Sequence, residues 1–113
     1  MIQRHIRSKI NHRVVEHSGV LYLGGVVADD KTLDMKGQTQ QVCSKIEALL
    51  TQFGSSKRKI LTATIFLSDF SGKDAMNEAW LEWLAPDDLP TRTTVGVQLV
   101  KGTLVEIVVS AAK

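Results

Sequence analysis

A single cysteine, Cys43, leaves the chain without an internal disulfide, so a reducing compartment, the cytoplasm, is the expected location. Aromatic residues make up only 5%, which leaves few platforms for stacking nucleic-acid bases. The net charge of +2 is too small to favour nucleic acid or a membrane surface as a partner. No apolar run approaches the ~20 residues that a membrane helix needs. The N-terminus, MIQRHIRSKINHR, is basic but lacks an apolar segment, so it reads as a solvated arm and not as a secretory signal. The three histidines, His5, His12 and His17, have neither metal-site spacing nor cysteine partners. GGVVADD lacks the spacing of a phosphate-binding glycine loop.

What is present is enough for a core. The chain has 113 residues, 43% of them hydrophobic, which suits one domain over residues 1–113. Ser18-Gly19 suits a tight turn between strands near Arg13–His17 and Val20–Val26. The segment LDMKGQTQQVCSKIEALLTQFG is helical in period, with Met35, Thr39, Val42, Ile46, Leu49, Leu50 and Phe53 on one stripe. Gly54 ends it. ILTATIFL is a strand, with Leu61, Ala63, Ile65 and Leu67 on one face. A second helix follows over about Lys73–Leu84, capped by Asp69 or Ser71, with Met76, Ala79, Trp80, Trp83 and Leu84 on its apolar stripe. Pro86 and Pro90 bound a loop, and LPTRTTVGVQLVKGTLVEIVVSAA then supplies two strands around Lys101-Gly102. The order β-β-α-β-α-β-β predicts an α+β fold, a single sheet with two helices on one face. Both faces of the last strand are apolar, so the uncovered sheet face is expected to join copies of the chain in a homo-oligomer.

The chemistry concentrates in the final ribbon. Arg92, Thr94, Gly96 and Gln98 alternate with Thr93, Val95, Val97 and Leu99, which places the apolar set toward the core and Arg92 on the opposite, polar face. Arginine is a poor acid or base but an excellent two-pronged clamp for a carboxylate. The plainer alternative is a structural arginine that reaches solvent. Glu106, between Val105 and Ile107, is placed to hold and polarise a water, or else is a solvated glutamate or forms an intersubunit ion pair. A three-residue loop at Val100–Gly102 would put Arg92 and Glu106 on one face. A two-residue turn at Lys101-Gly102 would put them on opposite faces. Cys43, on the apolar helix, reads as a core residue.

The ribbon resembles the signature of the Rid/YjgF family of reactive intermediate deaminases: Pro-x-Arg, a β run, then apolar-Glu-apolar near the C-terminus. Pro90, Arg92, Val95, Leu99, Glu106 and Ile107 fall in step with it. ILTATIFLSDFSGKDAMNEAW is similar to the family's central strand and second helix, through Asp69, Met76, Asn77 and Trp80. The resemblance implies a chorismate-mutase-like fold and a homotrimer with clefts between subunits. It also implies hydrolysis of 2-imino or 2-enamino acids to 2-keto acids and ammonia, without a cofactor. On that match Arg92 holds the substrate carboxylate, Glu106 positions water, and the backbone at Gly25 touches the ligand. Thr94 contributes to substrate binding at a position where members often carry cysteine. Asn11, His12 and Arg13 occupy the region where archetypal members have a tyrosine. These departures keep open a non-catalytic member that binds small carboxylates or a partner.

Overall fold

Ser18 and Gly19 have φ of 51° and 77°, the two successive positive angles of a type I′ hairpin turn, as the dipeptide predicts. A computed structural model describes every residue, Met1–Lys113. Its strands are β1 (Gln3–Arg7), β2 (His12–His17), β3 (Val20–Leu23), β4 (Val26–Val27), β5 (Ile60–Leu67), β6 (Thr91–Gly96) and β7 (Val105–Ala112). Its helices are α1 (Met35–Gln52) and α2 (Lys73–Trp83). The seven strands form one mixed sheet in the order β1-β2-β3-β7-β5-β6, with β4 alongside β7 beyond the end of β3. No helix is long and apolar enough to cross a membrane.

Both helices cover the same sheet face. Val42, Ile46 and Leu50 of α1 and Met76 and Trp80 of α2 join one core with Ile65, Leu67, Val105, Ile107 and Val109 of the sheet. The helix stripes read from the sequence are therefore the buried ones. Asp34 caps α1 by accepting from Gly37 N at 2.8 Å. Asp69 accepts from Ser71 N at 3.0 Å and caps a short 3₁₀ turn, Phe70–Gly72, that leads into α2.

Four features depart from the sequence reading. Residues Gln3–Arg7 are an edge strand paired with β2, not a solvated arm. Arg4 and Arg7, both exposed, discourage further strands from pairing there. The strand expected over Val20–Val26 is broken at Gly24-Gly25 into β3 and β4, which pair with different parts of β7. An irregularity in the β5–β7 register between Ile60 and Thr62 turns Ile60 into the core and leaves Leu61 45% exposed.

The largest departure concerns the C-terminal ribbon, which is not a hairpin. β6 runs parallel to β5, joined to it by the crossover through α2, and β7 runs antiparallel to β5 on its other side. Residues 97–104 cross the end of β5 to connect them. Val97 and Val100, apolar in sequence, are 42% and 81% exposed in that crossing.

The buried side chain of Gln38 holds this crossing in place. Its amide donates to Leu33 O and Gly102 O at 3.1 and 3.0 Å, and its carbonyl accepts from Leu104 N at 3.0 Å. Gln38→Leu keeps the volume but leaves three partly buried backbone groups without their partner, an expected loss of about 2–4 kcal/mol. Urea unfolding measures the loss, and hydrogen exchange at the Leu104 amide should accelerate with it.

Candidate active site

Residues paired across neighbouring strands point to the same side of a sheet, so register fixes where each candidate faces. Arg92 pairs with Ala63 and Thr94 with Ile65, and both partners are buried under the helices. Arg92 and Thr94 therefore point to the helix side. Val95 pairs with Phe66, Phe66 with Glu106, and Glu106 with Val27, a row across the uncovered face. The alternation along β6 is as the sequence predicts, but its sides are reversed. Arg92 lies on the face of the core and Val95, 37% exposed, on the bare one. The inversion arises because β6 is the last strand of the sheet, where the helical cover thins enough to admit a polar side chain.

Arg92 and Glu106 thus lie on opposite faces, roughly 14 Å apart by two strand spacings and three residues of rise. Neither hairpin register considered from the sequence applies. Within one chain the two residues do not meet, and the structure divides the candidates into two groups.

The first group surrounds Arg92. Its guanidinium carbon lies 5.8 Å from the centroid of the Trp80 ring, and Nη1 stands 3.9 Å from Met76 Sδ. Both contacts come from α2, where Met76 and Trp80 sit one helical turn apart on the buried stripe. Among its ion pairs the chain offers Arg92 none. Burial lowers its pKa from the usual arginine value, and the group remains cationic. Arg92 is thus a half-buried cation held by a π face and a sulfur, with no carboxylate beside it. On α2 beside Met76, Asn77 carries a buried Oδ1 with no hydrogen-bond partner. Thr94, half-buried, is two residues along the same face of β6.

The second group joins Glu106 to Gly25. A Cβ at Gly25 would overlap the Glu106 carboxylate outright, with Cγ of Glu106 only 3.2 Å away. Glycine is required there because the glutamate lies directly on the backbone between β3 and β4. Gly25 also borders a cleft of about 220 Å³ between the turn after β1 and the side of α1. The sequence offered one signal for this cleft, the Gly24-Gly25 pair that interrupts the strand.

Other nucleophile and metal candidates recede. Cys43 is 2% exposed, and burial, with a smaller push from Glu47, raises its thiol pKa to about 12. A thiol reagent at pH 8 is therefore expected to leave the native protein unlabelled and to modify Cys43 at the rate of unfolding in urea. No three His, Cys, Asp or Glu side chains stand together as a metal site.

Residues 5–113 match the protein family described as Endoribonuclease L-PSP. The chain belongs to this family, the YjgF/Rid family. RutC family protein YoaB of Escherichia coli (strain K12) is 40% identical over 100 residues, covering 88% of this chain and 87% of the relative. A RutC family protein of Haemophilus ducreyi is 38% identical over 100 residues, at 88% and 86% coverage. Among solved structures, an uncharacterized protein from Pseudomonas aeruginosa superposes with a TM-score of 0.95 at 31% identity, covering 100% of this chain and 99% of the other. A YjgF family member from Neisseria meningitidis gives 0.95 at 29% identity, covering 100% and 95%. The mixed sheet with two helices on one face is thus the YjgF fold, as the resemblance of the C-terminal ribbon implied. The same ribbon in the YjgF/Rid chain supplies both Arg92 and Glu106, but to different sides of the sheet.

Proposed function

We propose that this protein hydrolyses reactive 2-imino and 2-enamino acids to 2-keto acids and ammonia, in clefts formed where protomers of a homotrimer meet. The observation that supports this reading best is Arg92, a half-buried cation cradled by Trp80 and Met76 with no carboxylate partner. A small substrate carboxylate supplies the missing anion through two parallel N–H···O bonds. Arg92 and Glu106 face opposite sides of one chain, so a site that uses both takes Arg92 from one protomer and Glu106 from its neighbour. The bare sheet face, with Tyr22 50% and Val95 37% exposed, is the surface that a neighbouring copy covers.

The chemistry asks little of the protein because an imine is already electrophilic. Arg92 fixes the carboxylate and with it the position of C2. Glu106 accepts a proton from water as the water oxygen bonds to C2. That proton passes to the imine nitrogen to give the carbinolamine; Glu106 then accepts the hydroxyl proton as the C2–N bond breaks and the C2–O double bond forms, and the nitrogen takes this second proton and leaves as ammonia. Thr94 lies two residues from Arg92 on the same face of β6, beside the position of the substrate carboxylate.

The test generates imines with an amino-acid oxidase or a serine/threonine dehydratase and traps what remains with semicarbazide. Wild-type protein is expected to lower the trapped imine, and Arg92→Ala is not. Tight binding of a 2-keto acid without imine loss would instead identify a carboxylate-binding protein that performs no hydrolysis.

A further inference from the structure

The cleft beside Gly25 has a built polar wall that the proposed chemistry leaves unused. At its rim, the Ser8–Asn11 turn is closed by Ser8 N donating to Asn11 O at 2.8 Å. Ser8 Oγ donates to Asn11 Oδ1 at 2.6 Å and accepts from Asn11 N at 3.1 Å. The carbonyl end of the Asn11 side chain is therefore tied down. Its amide end is free: Nδ2 donates to nothing within the chain and lies 3.6 Å from where a Cβ on Gly24 would stand.

The remaining polar groups on the cleft are donors as well. Lys45 Nζ donates to Val27 O at 2.7 Å and to Asp29 Oδ1 at 2.8 Å, which leaves its third proton. Arg13, exposed, forms no ion pair. The Asp29 carboxyl is held below its ordinary pKa first by the hydrogen bond from Lys45, and the only charged residues lining the cleft are Arg13 and Lys45, both positive. Ile10, Val26 and Leu49 supply the apolar part of the wall. A space with an apolar body, spare N–H donors and net positive charge fits a short aliphatic chain that ends in a carboxylate.

We propose that this cleft is the subsite for the substrate side chain, selecting acidic, carboxylate-ended 2-imino acids, with Asn11 as the residue that recognises the distal carboxylate. The proposal rests on the reaction assigned above, because Gly25 links the two places. β4 pairs only with β7, so Gly25 lies at an open edge of the sheet, with the Glu106 carboxylate against one side of it and the cleft bordered by Lys45 and Leu49 of α1 on the other; a substrate with C2 beside Glu106 sends one substituent around that edge toward Asn11.

The test compares imines made enzymatically from glutamate, alanine and leucine, using wild-type protein, Asn11→Ala and Asn11→Asp. Wild type is expected to favour the glutamate-derived imine. Asn11→Ala should lower kcat/KM for that imine about tenfold, and Asn11→Asp about a hundredfold by like-charge repulsion, with the alanine-derived imine unchanged in both. An equal loss on all three imines, or a wild-type preference for the leucine-derived one, overturns the subsite and leaves the deaminase reading standing. Should no imine be hydrolysed, titration with 2-oxoglutarate and 2-oxobutyrate, followed by amide NMR, decides the subsite alone. Shifts at Ser8, Asn11 and Gly25 that 2-oxoglutarate produces, and that Asn11→Asp abolishes, support it. Identical responses to both acids overturn it.

Discussion

Arg92→Ala is expected to lower kcat/KM for imine hydrolysis by about 10²–10³-fold while leaving the urea midpoint of unfolding close to that of wild type. Charge-assisted hydrogen bonds contribute about 1.5–3 kcal/mol each, and a two-pronged clamp loses both. A net loss of about 3–4 kcal/mol corresponds to that factor. Stability should change little because Arg92 has no ion pair to lose, only the contact with the Trp80 ring and Met76 Sδ. Its own desolvation, visible in the lowered pKa, also disappears with it. Arg92→Lys keeps the charge but not the fork, and should recover about tenfold of the loss. If Arg92→Ala unfolds the protein at much lower urea, the residue is structural and the clamp is wrong.

Glu106→Gln should slow turnover by about 10²-fold or more, the usual contribution of a positioned base. Gly25→Ala should do the same without touching an ionisable group, because the new methyl occupies the space of the Glu106 carboxylate. The same overlap makes a stability prediction. In the wild-type background Gly25→Ala should cost about 1–3 kcal/mol as an overpacked site. In a Glu106→Ala background most of that cost should vanish, since the clashing atoms are gone. A double-mutant cycle in urea reads this coupling directly. Independent, additive effects of the two substitutions would show that Glu106 does not rest on Gly25.

These expectations depend on features that the sequence revealed unevenly. The helix stripes were legible because Val42, Ile46, Leu50, Met76 and Trp80 keep the helical period and are all buried. The hairpin at Ser18-Gly19 was legible because few dipeptides accept two positive φ angles. β1 was not, since QRHIR carries no apolar alternation and exists only as an edge paired to β2. The C-terminal ribbon misled most. Lys101-Gly102 looks like a hairpin turn, and Gly102 does adopt a positive φ of 86°. Yet the loop around it crosses the end of β5, pinned by the buried amide of Gln38, a tertiary contact 64 residues away in sequence.

That single topological difference governs the site. A hairpin would have placed Arg92 by its parity with Glu106. The parallel register with β5 places it by its parity with Ala63, under the edge of the helices. The rule that apolar side chains face the core then assigned Val95 inward, whereas an edge strand lets Val95 face out and Arg92 face in. The candidate residues Arg92 and Glu106 could be picked out from the chain, as could their family pattern. Their division between two sides of the sheet could not, because it follows from which strand lies between β6 and β7.

On the proposed mechanism, one active site draws Arg92 from one protomer and Glu106 from its neighbour. Mixing Arg92→Ala with Glu106→Ala protein, each inactive alone, tests it directly. After unfolding and co-refolding at equal amounts, with mixed oligomers verified by native mass spectrometry, each interface between unlike protomers has one orientation that reunites an intact Arg92 with an intact Glu106. Random assembly restores about a quarter of the sites, so about a quarter of wild-type imine hydrolysis should return. Mixed oligomers that form and remain as inactive as their parents would show that the two residues do not share a site across protomers, and would contradict the account.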